Sequence, residues 1–183
     1  MSAVTTALAV RAAVPGDAVR LAEIWNREVV ETLATTDTEP RDATAQRAWL
    51  AAHSPAYPVV VAVAGERHEI VAGYAALTPY RPKPAFRHTV EDSVYVDSAW
   101  RRRGVGRLLL AHVLRLAVAA GHHSMLARIT ADNVASRTLH EALGFRLVGI
   151  EEDVAVKLGR WLDVAIYQQS LVSRLHGPGP TRS

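Results

Sequence analysis

Residues 91–110, EDSVYVDSAWRRRGVGRLLL, contain the clearest structural pattern in the chain. Val94-Tyr95-Val96 is a β-branched and aromatic run typical of a strand, and from Val105 onward apolar residues recur at helical spacing. Between them lies the basic loop Arg101-Arg102-Arg103-Gly104-Val105-Gly106, which Arg107 follows. Glycine lets the backbone approach a ligand, and the first turn of a helix presents unpaired N–H groups that attract an anion. We therefore predict a strand–loop–helix junction that binds a diphosphate.

The glycine spacing excludes the two common nucleotide-binding loops. A dinucleotide fingerprint requires a third glycine three residues after the second, where this chain has Leu109, and a Walker loop requires Gly-Lys-Ser/Thr. An arginine run by itself is also typical of a solvated surface or of a surface that faces nucleic acid. Charge alone does not require two glycines or a change from strand to helix, so the phosphate-binding interpretation is favoured.

Composition limits the class of protein. The chain has 183 residues, 49% of them hydrophobic, which predicts a single domain over residues 1–175 and a flexible tail over 176–183. Its apolar runs are too short to cross a bilayer and it shows no signal-peptide pattern, so we expect a cytoplasmic protein without membrane contact. The absence of cysteine excludes disulfides, thiolate metal sites and a cysteine nucleophile. The net charge is +3, but much of the positive character lies in one loop and Glu151-Glu152-Asp153 is acidic, which favours a small polyanionic cofactor over nucleic acid.

Seven strand-like and four helix-like runs follow one another along the chain. The strands are predicted at 8–12, 58–64, 69–78, 94–96, 125–129, 145–149 and 161–169. The helices are predicted at 17–31, 44–53, 105–120 and 137–143. A hairpin turn is expected at 65–68, and a charged loop is expected between the last two strands. Hairpins between neighbours argue against a purely parallel sheet, so we expect an α/β (α+β) fold with a mixed sheet of about seven strands and about four helices.

Several motifs resemble those of the GNAT (Gcn5-related) N-acetyltransferases. Arg101-x-x-Gly104-x-Gly106, directly after a strand and opening a helix, resembles the acyl-CoA pyrophosphate loop of that superfamily. Thr89-Val90-Glu91 and Leu139-His140-Glu141 narrow the resemblance to the phosphinothricin and methionine sulfoximine N-acetyltransferases. The resemblance extends from about Leu8 to Leu171. It implies the GNAT acyl-CoA N-acyltransferase fold, acetyl-CoA as the acetyl donor, and a homodimer with residues of the last strands near the partner's acceptor site.

The resemblance also implies where acetyl-CoA binds. The cofactor is expected in a V between the central strand and the strand near Leu126, with the pantetheine arm on one strand and the diphosphate on the basic loop. The implied cofactor-binding residues are Val94, Tyr95, Val96, Arg101, Arg102, Arg103, Gly104, Val105, Gly106, Arg107, Asn133 and Ser136. Two alternatives stay open: the central strand would look the same in any buried sheet, and Asn133 could simply cap a helix.

Two residues are candidates for proton transfer. An amine must lose a proton before it can attack a thioester, and Glu91 matches the position of the family's proposed base. The alternative is a surface glutamate at a strand edge.

His140 stands where many GNAT enzymes carry a tyrosine thought to protonate the departing thiolate, and histidine can act as acid or base near neutrality. It could equally pack against the core. A zinc site at His140-Glu141 is excluded because Gly144 stands where a second histidine would be required.

The acceptor is expected to be a small amino acid analogue that carries a carboxylate. Arg81 and Lys83 would supply positive charge, Phe86 and His88 would form walls, and Glu91 would contact the amine. Alternatives are a larger amine, such as a protein N-terminus, a polyamine or an aminoglycoside, and a non-catalytic acyl-CoA sensor. Nucleic-acid binding through the arginine loop is a further alternative, which predicts affinity that falls steeply with salt.

Overall fold

A seven-stranded mixed sheet forms the centre of the computed structural model, which describes residues 7–65 and 70–172. Its strands are β1 (Leu8–Ala12), β2 (Val59–Ala64), β3 (Ile70–Pro79), β4 (Thr89–Val96), β5 (Ser124–Thr130), β6 (Arg146–Lys157) and β7 (Arg160–Ser170). The helices in this part of the chain are α1 (Ala18–Glu31), α2 (Ala43–Ala51), α3 (Val105–Ala119) and α4 (Val134–Ala142). The strand order is β1-β2-β3-β4-β5-β7-β6, and β4 and β5 are parallel while the other pairs are antiparallel. The predicted mixed sheet is therefore confirmed.

Helices cover both faces of the sheet. On one face α3 places Leu110 in a buried cluster with Val90 of β4. On the other face α1 places Trp25 in a second buried cluster with Val61 of β2. The buried positions of α3 recur at three or four residues, as an amphipathic helix requires: Val105, Leu109, Leu110, Val113 and Ala117. Burial of each large apolar side chain stabilises the fold by about 1.5–3 kcal/mol, so both helix layers hold the sheet firmly.

β4 and β5 separate halfway along their length. They pair only from Thr89–Glu91 of β4 to Ser124–Leu126 of β5. Beyond this point β4 continues to pair with β3, and β5 continues to pair with β7. The backbone N–H and C=O groups of a strand point alternately to its two neighbouring strands. Some of these groups in residues 92–96 therefore point into the gap. The V expected between the central strand and the strand near Leu126 is thus present.

The last hairpin differs from the prediction. The strand expected to end at Gly149 continues as β6 to Lys157, and only Leu158-Gly159 connect it to β7. The acidic segment 151–153 therefore lies within β6 and does not form a loop. The register shifts between Glu151 and Ala155, as at a β-bulge. Acidic residues are rare in regular strands, and the bulge explains how this segment is accommodated.

Two helices begin earlier than predicted. α2 starts at Ala43 because the carboxylate of Asp42 accepts the N–H of Ala45 at 2.7 Å. α4 starts at Val134, three residues before the predicted start at Arg137. In both helices the side-chain oxygen of the residue directly before the helix caps it, so each helix begins at the next residue.

Some predicted features lie outside the described residues. They are most of the turn at 65–68 and the tail at 176–183. Among the residues that are described, no helix combines the length and the apolar character needed to cross a membrane.

Candidate active site

A cavity of about 940 Å³ fills the gap where β4 and β5 separate. Residues 92–96 form one wall, residues 127–130 form the opposite wall, and the starts of α3 and α4 close the ends. Most of the predicted cofactor-binding residues line it: Val94, Tyr95, Val96, Arg101, Arg102, Gly104, Val105, Gly106, Arg107, Asn133 and Ser136. Arg103 does not line the cavity; it is exposed, and its guanidinium lies 5.2 Å from the ring centre of Trp100. The fold thus brings the central strand, the basic loop and α4 around one space.

The loop before α3 has the backbone of an anion-binding turn. Gly104 immediately precedes the helix with a φ of 81°, a left-handed conformation that costs other residues roughly 1–2 kcal/mol. Glycine has no side chain with which to cap the helix, so the N–H groups of the first turn at 105–107 stay available. The helix dipole favours negative charge at this end. The donors present therefore fit a diphosphate.

Arg101 is engaged with a protein partner. Its guanidinium forms an ion pair with the carboxylate of Glu28 in α1. Glu28 is 5% exposed, and its other carboxylate oxygen accepts the hydroxyl of Thr32 at 3.0 Å. A buried carboxylate requires such partners, so the pair holds α1 against the basic loop. Arg102 and Arg107 are exposed at the cavity, where their charge is available to phosphate groups.

Asn133 has the capping role that the sequence left open. Its side-chain oxygen accepts the N–H of Ser136 at 3.1 Å and so begins α4. Both residues also line the large cavity. A contact with the cofactor is compatible with this geometry and stays a prediction.

A second cavity, of about 250 Å³, lies on the α1 side of β4. Four aromatic side chains line it: Trp25, Trp49, Tyr74 and Tyr95. Glu91 lines it as well and is half-buried. Burial raises the pKa of Glu91, and the positive charge of Arg128 partly opposes this effect. A carboxylate with a raised pKa binds a proton more readily, which suits a general base.

The two cavities meet at the middle of β4. Asp92 and Ser93 line both of them, directly after Glu91 in the strand. A ligand in the large cavity can therefore approach a ligand in the small cavity beside this carboxylate. Such an arrangement permits direct transfer between two bound molecules.

His140 lies on the wall of the large cavity and is 2% exposed. Its Nε2 is 3.0 Å from Oδ2 of Asp92, and its Nδ1 is 2.7 Å from the carbonyl oxygen of Ser136. Burial by itself lowers the pKa of His140, but the hydrogen bond and charge of Asp92 outweigh burial, and the pKa is raised. The ring also packs edge-on against Phe145, with 4.9 Å between ring centres. His140 is thus close to the predicted site and also tightly packed.

The residues predicted to bind the acceptor lie elsewhere, apart from Glu91. Arg81, Lys83, Phe86 and His88 belong to the segment between β3 and β4, and they line neither cavity. The guanidinium of Arg81 instead lies over the ring of Phe86, 5.7 Å from its centre. None of these four residues lines the cavity that contains Glu91, and their role in acceptor binding stays a prediction.

The arginines that do line the small cavity are Arg41 and Arg128. Arg41 stacks over Trp25, with 3.9 Å between its guanidinium carbon and the ring centre. Arg128 forms an ion pair with Glu151 of β6 at 2.5 Å. Neither arginine was predicted from the sequence as a site residue. An arginine in the middle of the apolar run of β5 is a signal that could have singled out Arg128, whereas Arg41 lies in a loop without a motif.

A metal site receives no support from the described residues, among which no three His, Cys, Asp or Glu side chains cluster as ligands would. Backbone N–H groups of the first turn of α3 and the exposed side chains of Arg102 and Arg107 are available at the large cavity. Such donors suit an anionic organic cofactor.

Comparison with known proteins gives consistent matches over most of the chain. A family model described as the acetyltransferase (GNAT) family matches residues 20–145. Over 169 residues the chain is 40% identical to phosphinothricin N-acetyltransferase of Streptomyces coelicolor, covering 91% of this chain and 98% of that protein. Over 165 residues it is 38% identical to the L-methionine sulfoximine/L-methionine sulfone acetyltransferase of Salmonella typhimurium, covering 90% and 95%. The structure of yncA from Salmonella typhimurium with its cofactor acetyl-CoA matches with a TM-score of 0.87 and 36% identity, over 96% of this chain and 99% of that one.

Proposed function

The chain belongs to the GNAT acetyltransferase family, and on that premise we propose that it acetylates the primary amine of a small amino acid analogue. Membership confirms the fold, the enzyme class and acetyl-CoA as the donor, all of which the sequence predicted. The finer proposal is an acceptor of the phosphinothricin or methionine sulfoximine type. The observation that carries it is the meeting of a cofactor-sized cavity with a small cavity beside Glu91. The reaction is proposed to take place in the cytoplasm.

The proposed reaction is a direct transfer with both substrates bound. Glu91 takes a proton from the acceptor's ammonium group, directly or through water, because only the neutral amine has a free electron pair. The nitrogen then attacks the thioester carbonyl carbon, and backbone N–H groups of β4 that face the gap stabilise the oxyanion. The carbon–sulfur bond breaks, and the departing thiolate takes up a proton from His140 or from water.

The small cavity supports a compact acceptor that carries an anionic group. Its volume of about 250 Å³ suits an amino acid better than a polyamine or an aminoglycoside. Arg41 and Arg128 provide positive charge in this cavity, and arginine binds carboxylates through paired hydrogen bonds. The names of the two relatives point to the same class of acceptor.

A thiol-release assay tests the proposed acceptor class. Acetyl-CoA is mixed with phosphinothricin, methionine sulfoximine, methionine sulfone, a polyamine, an aminoglycoside and a peptide with a free N-terminus. We expect rapid release of CoA only with the amino acid analogues. Turnover confined to the larger amines would refute the proposed acceptor, and tight acetyl-CoA binding without turnover on any amine would indicate a sensor.

Two variants test whether the acceptor binds to Arg128 in the small cavity or to Arg81 in the segment between β3 and β4. Arg128→Gln should raise KM for the amino acid about tenfold or more, because it removes a charge from the cavity that contains Glu91. Arg81→Gln serves as the matched control, since Arg81 lines neither cavity. A larger effect of Arg81→Gln would assign acceptor binding to the segment that the sequence indicated.

We also propose that the enzyme is a homodimer, joined through the end of the β6–β7 hairpin. Val154, Val156 and Trp161 are 49%, 52% and 66% exposed, and Val156 pairs directly with Trp161. Exposed apolar side chains that are grouped in this way mark interaction surfaces. The hairpin also contacts a residue of the small cavity. Nζ of Lys157 donates a hydrogen bond to the carbonyl oxygen of Thr35, which lines that cavity.

A further inference from the structure

Asp92 and His140 form a buried pair at the point where the two cavities meet. Their side chains are 1% and 3% exposed. Asp92 belongs to β4 and His140 to α4, so the pair connects the wall of the cofactor cavity with the strand that carries Glu91. No sequence motif singles out Asp92, and the sequence leaves the role of His140 open between acid, base and core residue.

The hydrogen bonds determine how many protons the pair holds. A carbonyl oxygen only accepts, so the 2.7 Å contact with Ser136 requires a hydrogen on Nδ1 of His140. A neutral ring with that hydrogen would present the lone pair of Nε2 to Oδ2 of Asp92 at 3.0 Å. Two acceptors at this distance repel each other, so a proton must lie between them. An imidazolium beside a carboxylate satisfies both contacts, because each ring N–H then meets an acceptor.

We propose that Asp92 and His140 form an imidazolium–carboxylate pair that neutralises the charge of Asp92 beside Glu91 and leaves Glu91 as the base. His140 is then a positioning residue. Both of its ring nitrogens are occupied by protein acceptors, so it has no free N–H for the thiolate and no free lone pair for the amine. Water is the proton source for the thiolate. The part of this inference that concerns Glu91 rests on the proposed function.

The second carboxylate oxygen of Asp92 shows why this carboxylate needs a positive charge beside it. Oδ1 of Asp92 is buried and has no hydrogen-bond partner among the described residues. An ionised carboxylate in such a place is costly unless a positive charge lies next to it. His140 supplies that charge. Without it, Asp92 and Glu91 would be two neighbouring carboxylates, and ionisation of one would oppose ionisation of the other.

Other charged groups lie near Glu91 and near His140. The negative charge of Asp92 raises the pKa of Glu91, and Arg128 on β5 lowers it, both in addition to the effect of burial. On α4, the neighbour of His140 is Glu141, whose carboxylate accepts the hydroxyl of Tyr167 on β7 at 2.6 Å. Arg137 on α4 donates to the same Tyr167 oxygen. This second network contacts neither Asp92 nor the ring of His140 by hydrogen bonds, so Asp92 remains the ionic partner of His140.

Nitrogen NMR of the histidine rings tests the pair without any need for turnover. The chain has eight histidines, and the signals of His140 are identified by their loss in His140→Gln. If that variant does not fold, they are identified through the covalent connectivity of the isotope-labelled chain. We expect an imidazolium at pH 7 in the wild type, where exposed histidines with a pKa of about 6.5 are mostly neutral. In Asp92→Asn the side-chain amide can donate to Nε2, so His140 should become neutral. A neutral His140 in the wild type at pH 7 would overturn the proposal.

The pH dependence of kcat/KM tests the effect on Glu91. His140→Gln leaves Asp92 without its counter-charge, so the acidic limb should move upward by about one pH unit. Asp92→Asn removes the carboxylate itself, so its limb should stay or move downward. A merely structural role would lower activity in both variants without moving the acidic limb in either. An unmoved limb in His140→Gln, or an upward shift of the same size in Asp92→Asn, would refute the proposal. Asp42→Asn is the matched control, because it changes a carboxylate that lines neither cavity.

The NMR and turnover measurements also distinguish failure of this inference from failure of the proposed function. If no amine supports turnover while His140 is an imidazolium in the wild type and neutral in Asp92→Asn, the proposed function fails and the pair stands. If turnover is rapid while His140 is neutral at pH 7, the pair fails and the proposed function stands.

Discussion

At the scale of single residues, the chemistry depends on the environment that the fold gives to Glu91. The carboxylate is half-buried, and burial raises its pKa. A base must be ionised to accept a proton, so activity should fall as the pH drops through this raised pKa. The acidic limb of kcat/KM should therefore lie above the ordinary glutamate pKa of about 4.3.

Glu91→Gln should remove the proton acceptor while preserving the shape of the side chain. We expect kcat to fall about 10²- to 10⁴-fold, the usual contribution of a positioned base, and the acidic limb to disappear. Binding of acetyl-CoA, measured by calorimetry, should stay within about threefold of the wild type if only the base is lost. Full turnover with normal cofactor binding would remove Glu91 from the mechanism.

His140 should contribute to stability in a pH-dependent way. Burial lowers its pKa, but Asp92 outweighs burial, so the pKa in the folded state is raised and protonation favours folding. The contribution is complete below the unfolded pKa of about 6.5 and is lost as the pH rises through the raised folded pKa. Urea unfolding should therefore show a larger free-energy difference between wild type and His140→Gln at about pH 6 than at about pH 9. An equal difference at both pH values would contradict a stabilising charge on His140.

At the scale of secondary-structure elements, the register of β3 against β4 fixes the wall of the cofactor cavity. Gly73 makes this pairing possible, because a Cβ at this position would lie 2.7 Å from the carbonyl oxygen of Tyr95 and 3.1 Å from Cα of Val96. Both contacts are with backbone, which cannot move without displacing β4. The cavity wall therefore depends on a residue that does not line it.

Gly73→Ala should accordingly destabilise the fold by about 1–3 kcal/mol, as overpacking does, and should weaken acetyl-CoA binding as well. Urea unfolding and calorimetry measure the two effects. Gly16→Ala is the matched control, since a Cβ at Gly16 meets nothing within 4 Å. Similar losses of stability and of acetyl-CoA binding in both variants would show that a clash between β3 and β4 is not the cause.

At the scale of the whole molecule, the sheet ends in β6, an edge strand with exposed apolar side chains. Such an edge is prone to association unless a partner covers it. In the proposed dimer the partner covers the hairpin of β6 and β7 next to the acceptor cavity. Assembly and acceptor binding would then be linked.

Val156→Lys should shift the mass in light scattering at micromolar concentration from dimer to monomer, because it places a charge at the centre of the proposed interface. Val118→Lys is the matched control: Val118 is 53% exposed, almost the same as Val156, but it lies on α3. A monomeric wild type would refute the dimer, and dissociation by Val118→Lys would place the interface elsewhere.

The fold and the family could be predicted from the amino-acid sequence alone. The strand, the glycine loop and the helix over residues 91–110 are local patterns, and each follows from the conformational preferences of adjacent residues. The same applies to the hydrophobic periodicity of α3 and to the strand patterns of β2 and β3. The acidic segment in β6 was missed because a bulge, which depends on pairing with β7, overrides local strand propensity.

Contacts between side chains that are far apart in the sequence could not be predicted before the folded structure was known. Asp92 and His140 are 48 residues apart, and Arg101 and Glu28 are 73 residues apart, yet each pair is in contact. Arg41 and Arg128 reach the small cavity from a loop and a strand that no sequence motif connects. Ionisation depends on burial and on the charges within a few ångströms, and those neighbours are set by how β4 and β5 separate and how the helices pack on them. A residue's type is local information, whereas its protonation state and its partners exist only after the chain has folded.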